Sequence, residues 1–324
     1  MAVDMKCAIT LLLLFSLTAN AGLPNDAKCV APAKMGGGFD LTCKLLSQSL
    51  HASGASTTLI PTIYQPGGIG ALTFKKSVTV SPDDSSTVIA FSSGTLLNLA
   101  QGKFGPFSTS DVRWLYSLGM DYGVIAVKQD SPYQNLKQLL TALKNSPQTL
   151  VFGAGGSIGS QDWFKAALLA KAAGISHKSI RFVAYEGGGE ALSALTGGHV
   201  QVLAGDAGEV GQYLNEGAKV KVLAVLSGTR LPGRFAKIPT AKEQGYDIQW
   251  PILRGVYIGH KVSEFQQKEW QSAISKATQH TSFIKLLDQA GIQERVLRGA
   301  ELTQMVELQT QQYRKLAEEF GIVR

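Results

Sequence analysis

The chain has 324 residues, 44% hydrophobic and 17% charged, enough to bury a sizeable core in two domains and too apolar for a disordered polymer. Its formal net charge of +7 suits an anionic partner. The Lys and Arg residues are dispersed, with no basic helix or aromatic-basic ribbon, which argues against nucleic acid.

The chain opens with Lys6, an apolar run over residues 8–17 and then Ala19-Asn20-Ala21. This is the pattern of a secretory leader with a small-x-small cleavage site, and it predicts export with cleavage after Ala21. No later segment has the length and apolarity of a membrane helix. Of three cysteines, Cys7 leaves with the leader, so Cys29 and Cys43 remain as a pair. One falls on a predicted strand and the other just over a turn into the next helix. They can close a disulfide in an oxidising compartment, the reading preferred here, or stay as two buried thiols. No lipobox-like run precedes Cys29, which argues against a lipid anchor.

The first mature stretch, CVAPAKMGGGFDLTCKLLSQSL, reads as a strand, a tight glycine turn and a helix. Phe39, Cys43, Leu46 and Leu50 share one helical face. Gly36, Gly37 and Gly38 let the backbone come close to a ligand, while the first-turn N–H groups of a helix lack intrahelical partners. The turn is therefore either an anion cradle or a plain strand-to-helix connection. Asp40 in the first turn can satisfy those N–H groups instead. Residues 57–63 predict a second strand, which runs into Gly67-Gly68-Ile69-Gly70 and a helix over 71–80. A third strand, 87–91, ends in Ser92-Ser93-Gly94-Thr95, read as a loop. In an open parallel α/β sheet the carboxyl ends of the strands meet at one edge, where ligands bind.

After Asp121, the apolar run 124–127 is expected to make a first crossing between domains. The alternation then restarts with a helix near 136–144 and a strand at 149–152 that ends in the loop GAGGSIGS. The helix after it carries Trp163, Phe164, Ala167 and Leu168. A strand at 180–183 ends in Tyr185-Glu186-Gly187-Gly188-Gly189, and one at 200–203 ends in Gly205-Asp206. Residues 249–258, which include Arg254, are expected to cross back. Amphipathic helices through Trp270, Leu287, Leu302 and Phe320 then cover the first domain. The pattern predicts two α/β domains, 22–121 plus 252–324 and 122–251, each a mostly parallel sheet flanked by helices. The hinge crossings fall near Tyr122 and Trp250.

Three runs add up to a family resemblance over nearly the whole mature chain. They are APAKMGGGFDLTCKL with YQPGGIGA; GAGGSIGSQDWFKAALLAKAAG; and VAYEGGGEALSALTGGHVQVLAGDAGEV followed by PTAKEQGYDIQWPILRGVYIG. The chain resembles the substrate-binding receptors of bacterial tripartite tricarboxylate transporters, the Bug family, with a first loop and an ILRG segment closest to the citrate-binding branch. The resemblance implies a two-domain periplasmic binding protein of type II-like architecture. It would be a cofactor-free monomer that closes around a small carboxylate and presents it to a membrane permease.

Carried over by position, the first-domain ligand loops are Gly37, Gly38, Phe39 and Asp40, then Gly67 and Gly68, then Ser92, Ser93 and Thr95. The facing domain supplies Gly156, Ser157, Ser160, Gln161, Tyr185, Glu186, Gly187, Gly188 and Asp206. Met35 stands where such loops often carry proline. A tricarboxylate wants compensating charge, for which Lys34 and Arg254 are the candidates, against a solvated lysine and an arginine paired to a nearby acid. Phe39 is a cleft wall or core. Asp40 fits a loop organiser better than a ligand contact, since a bare carboxylate repels an anion.

Glycine loops at strand ends also make nucleotide sites. GAGGSIGS lacks the Lys-Ser or Lys-Thr ending of a phosphate-binding loop, and Ile158 occupies the third glycine position of GxGxxG. The five histidines are scattered, with no HExxH. An extracytoplasmic receptor serving a sensor kinase needs the same closing fold, so a signalling role stays open beside transport.

Overall fold

The computed structural model describes residues 22–322; the expected leader, residues 1–21, lies outside them. In chain order the first elements are β1 (Lys28–Ala31), α1 (Gly38–Ala52), β2 (Thr62–Tyr64), α2 (Ala71–Thr79), β3 (Thr87–Ser92) and α3 (Ser93–Ala100). Then follow β4 (Val112–Lys128), α4 (Leu136–Asn145), β5 (Val151–Gly155), α5 (Gln161–Ala172), β6 (Arg181–Tyr185), α6 (Gly188–Thr196), β7 (Val202–Asp206), α7 (Ala207–Asn215) and β8 (Val220–Leu226). The chain returns through β9 (Pro251–Gly259), α8 (Glu264–Gln279), α9 (Thr281–Ala290), the short β10 (Gln293–Glu294) and α10 (Gly299–Glu319). Among the described residues no helix is long and apolar enough to cross a membrane.

The strands form one continuous array in the order β2-β1-β3-β9-β4-β7-β5-β6, with β8 and β10 also paired to β4. The outer pairs are parallel, β1 with β2 and β3, and β5 with β6 and β7. The central strands β9 and β4 run antiparallel to their neighbours. The sheet is thus less parallel than the βα alternation suggests, because β4 and β9, which join the two halves of the array, enter it against the grain. One strand, β4, does the first crossing: residues 112–122 pair with β9, while residues 123–128 pair with β7 and β8. The expected crossing at 124–127 is the second part of that strand.

Each half of the array buries both faces, as such strands must. In the first half, Cys29, Leu46, Val88, Leu118, Trp270 and Ile274 pack the sheet against α1, α8 and α9. On the other face Phe74, Phe91, Leu96, Tyr257 and Leu302 pack it against α2, α3 and α10. In the second half, Phe152, Phe164, Val202 and Leu223 fill one side, and Val124, Leu192, Val210 and Val225 the other. Cys29 and Cys43 form a disulfide across β1 and α1.

Two local readings change. The hydroxyl loop after β3 is the start of α3, because Ser92 and Thr95 make a reciprocal capping box: Gly94 N–H donates to Ser92 Oγ and Ser92 N–H to Thr95 Oγ1. And α10, expected to return to the first domain, also ends against α5, with the rings of Phe320 and Phe164 5.5 Å apart.

Candidate ligand-binding site

Five helices begin at the carboxyl ends of strands around one small cavity of about 50 Å³. From the first half come Gly37 and Gly38 at the start of α1, and Ser92 and Gly94 at the start of α3. From the second half come Ser160, Gln161 and Asp162 at α5, Gly187 and Gly188 at α6, and Asp206 and Glu209 at α7. Arg254 enters from β9, and Ala33, Phe39, Ile69, Asn98 and Gly155 complete the wall. Helix N-termini carry partial positive charge and unpaired N–H groups, so their convergence makes a site for negative charge.

Ionised side chains already fill part of that demand. Arg254 is 1% exposed. Its Nε and Nη2 donate to Asp121 Oδ2 at 2.9 and 2.6 Å, and Nη2 also donates to Asp206 Oδ2 at 2.8 Å. The buried Lys165 donates to Asp206 Oδ1 at 2.6 Å and pairs with Asp162 Oδ1 at 2.7 Å. Asp162 Oδ2 accepts from Gly155 N–H, and Asp121 Oδ1 from the N–H groups of Tyr122 and Gly208. Gln161 Nε2 bonds Asp206 Oδ2. Glu209 Oε1 accepts from Gly38 N–H.

The network holds two cations and four carboxylates, and its acids respond differently. Burial pushes the Asp162 carboxyl up to about 6 despite Lys165, and it raises Asp121 despite Arg254. Burial raises Glu209 well above the usual range, with Asp206 and Asp162 adding to the rise. For Asp206 burial is outweighed, and Lys165 with Arg254 holds it below the usual range.

Glycine is required where Arg254 lies over the start of α1: a Cβ on Gly38 would stand 2.2 Å from Arg254 Nη1. The loop before α2 is constrained differently. Gly67, Gly68 and Gly70 all have positive φ and flank Ile69 at φ 49°, a rare conformation for a β-branched residue, held against the cavity.

Of the residues expected from the sequence, Gly37, Gly38, Phe39, Ser92, Ser160, Gln161, Gly187, Gly188, Asp206 and Arg254 line the cavity. Phe39 is wall and core at once. Gly68, Gly156, Ser157, Tyr185 and Glu186 line an adjoining depression that shares Ile69, Asn98 and Ser160 with it. Asp40 turns away: its carboxylate accepts from Gly36 N–H, Lys44 and Tyr64, which organises the loop. Gly67 packs on Leu72, Thr95 caps α3, and Ser93 Oγ donates to Gln309 while accepting from Leu253 N–H. Lys34 pairs with Glu190 at 2.6 Å, half exposed.

Asp121, Asp162, Lys165 and Glu209 are not among the site residues expected from the sequence. The motif Asp162-Trp163-Phe164-Lys165 held a usable signal, an i,i+3 ion pair inside an otherwise apolar helix. The run Gly155-Gly156-Ser157-Ile158-Gly159 also has the spacing of the GxSxG serine elbow and lies between a strand and a helix. Ser157 is exposed there, and its hydroxyl has no histidine partner among the described residues.

The profile described as "Tripartite tricarboxylate transporter family receptor" matches residues 56–322. The chain belongs to that receptor family. Its members are binding proteins, not enzymes. Among solved structures the receptor is similar to the periplasmic binding protein BugD, with TM-score 0.81 at 19% identity, covering 92% of this chain and 98% of that one. It is similar to MatC from Rhodopseudomonas palustris with bound malate, at TM-score 0.76 and 20% identity over 89% and 97% of the two chains. A third is the R. palustris protein Rpa4515 with adipate, at TM-score 0.80 and 19% identity over 91% and 97%. At these identities the likeness carries the fold: a two-domain periplasmic binding protein.

Proposed function

We propose that this receptor binds a small carboxylate in the cavity between the two halves of the sheet and delivers it to a membrane permease. The observation that carries the reading is the convergence of five helix N-termini, two from one half and three from the other, on a single cavity. The halves, taken as domains 22–121 plus 252–324 and 122–251, close on a hinge through β4 near Tyr122 and the segment entering β9 near Trp250. Direct contacts already join them beside the cavity, such as Gln101 Nε2 to Gly159 O at 2.7 Å. With about 50 Å³ inside, room for only a few waters, a ligand enters by opening. The leader-like residues 1–21 and the likeness to periplasmic receptors support a periplasmic location.

The expected tricarboxylate rests on Lys34 and Arg254 as counter-charges. Both are paired within the protein, so an acid with fewer charges ranks ahead of citrate. Structural neighbours with malate and with adipate support that order. Gln161 Oε1 is buried against Gly94 without a donor, which favours an acid that also carries a hydroxyl or amine.

The test is a thermal-shift panel on protein refolded to remove carried ligand. It includes citrate, tricarballylate, malate, succinate, adipate and glutamate. A ligand at a hundred times its Kd adds about 2.7 kcal/mol. A shift with any one acid class supports the receptor and names its cargo; no shift with any carboxylate refutes it.

A further inference from the structure

Glu209 sits where a ligand's carboxylate would be expected, if the cavity is the ligand site proposed above. It projects from the first turn of α7, is 7% exposed, and accepts from Gly38 N–H at the start of α1, on the opposite half of the sheet. Its other oxygen lies over the start of α6, where a Cβ on Gly188 would stand 1.8 Å from Oε2. Both helices begin on glycine N-caps, Gly37 and Gly187, that offer no side-chain capping bond. The side chain that serves the start of α1 comes from 171 residues away in sequence.

That position is electrostatically unfavourable for a glutamate. Asp206 and Asp162 stand nearby, while Arg254 and Lys165 are already shared among Asp121, Asp162 and Asp206. What favours a carboxylate there is the pair of helix N-termini, which would favour a ligand's carboxylate equally. A single N–H cannot give a full hydrogen bond to both.

We propose that Glu209 is a tethered stand-in for the ligand: in the ligand-free receptor its carboxylate occupies the anion seat and latches the halves together, and an incoming carboxylate displaces it. Glu209 then sets affinity by competition. A ligand binds only the fraction of molecules in which the seat is free, so removing the competitor strengthens binding by the inverse of that fraction.

The experiment compares wild type, Glu209→Ala and Glu209→Gln by calorimetric titration with malate, adipate, citrate and glutamate, and by small-angle scattering without ligand. Far-ultraviolet circular dichroism confirms that each variant is folded. The expected result is that Glu209→Ala binds the responding acid about tenfold tighter or more, with Glu209→Gln in between. The unliganded Ala variant should also have a larger radius of gyration than wild type. Weaker or unchanged affinity in a folded Ala variant would overturn the proposal, and weaker affinity would make Glu209 a direct ligand contact. If no acid binds any of the three proteins, the carboxylate-receptor reading fails by itself. The latch is then judged by scattering alone, where identical unliganded profiles refute it and expansion of the Ala variant supports it.

Discussion

Replacing Arg254 by methionine tests whether this residue is structural or a free counter-charge. Its guanidinium makes three charge-assisted bonds, two to Asp121 and one to Asp206, at 1% exposure. Asp206 keeps Lys165 at 2.6 Å after the change, but Asp121, fully buried, is left with backbone N–H donors only. Removing one partner of a buried ion pair costs about 3–5 kcal/mol because the other charge stays behind. In a protein with roughly 5–15 kcal/mol of net stability, that is a large fraction. At about 2–4 °C per kcal/mol for a chain of this size class, the thermal midpoint should fall by roughly 6–20 °C. A double-mutant cycle with Asp121→Asn isolates the pair. The double variant should be more stable than the summed singles by about 1–3 kcal/mol, since a neutral amide in place of the Asp121 carboxylate no longer needs a cation. Arg254→Met within about 1 kcal/mol of wild type, or strict additivity in the cycle, would refute the argument. Such a result combined with lost carboxylate affinity would restore the counter-charge role.

Cys29 and Cys43 close a loop with a sequence separation of 14, so replacing both by alanine should lower unfolding free energy by about 3 kcal/mol in a denaturant titration. Unreduced, denatured protein starting at Gly22, and so without Cys7, should show no titratable thiol; two would disprove the bridge. Asp162, pushed up to about 6 by burial, gives stability with an inverted pH sign. Between the ordinary carboxyl range and that value, the folded protein holds a proton the unfolded chain has released. The contribution is therefore full in acid and is lost as pH rises through about 6. Asp121 and Glu209 act in the same sense and Asp206 in the opposite one. Thermal midpoints at about pH 5 and about pH 7.5 should differ less in Asp162→Asn than in wild type; equal pH responses would remove Asp162 from this role.

The glycine turns and half of the cavity wall were legible because they depend on local chemistry. A strand, a glycine and a helix start identify Gly37 and Gly38 without any knowledge of neighbours. The direction of β9 was not legible, since a strand buried on both faces has the same apolar pattern whether its partners are parallel or antiparallel. Helix α3 was hidden because Ser92 and Thr95 read equally as loop hydroxyls and as a capping box. The apolar residues after them, Leu96, Leu97 and Leu99, were the signal to weigh. The ion network was hardest to find. An acid in a first helical turn usually complements the dipole in solvent, and only tertiary packing places Asp162, Asp206 and Glu209 in one buried space.

The arrangement of that network bears on how easily the proposed hinge opens. Arg254 and Asp121 belong to the first half, on β9 and β4, whereas Asp206 and Lys165 belong to the second, on β7 and α5. Opening breaks Arg254–Asp206 and the Gly208 N–H bond to Asp121, yet Arg254 retains Asp121 and Asp206 retains Lys165. No ion is orphaned, so opening forfeits about 1.5–3 kcal/mol for each charge-assisted bond instead of the larger penalty of a stranded buried charge. Glu209 loses Gly38 N–H but exchanges a crowded acidic pocket for water, which offsets part of the loss. A closed state favoured by only a few kcal/mol leaves a minor open population of about 0.1–10%. That fraction is large enough for a ligand to capture.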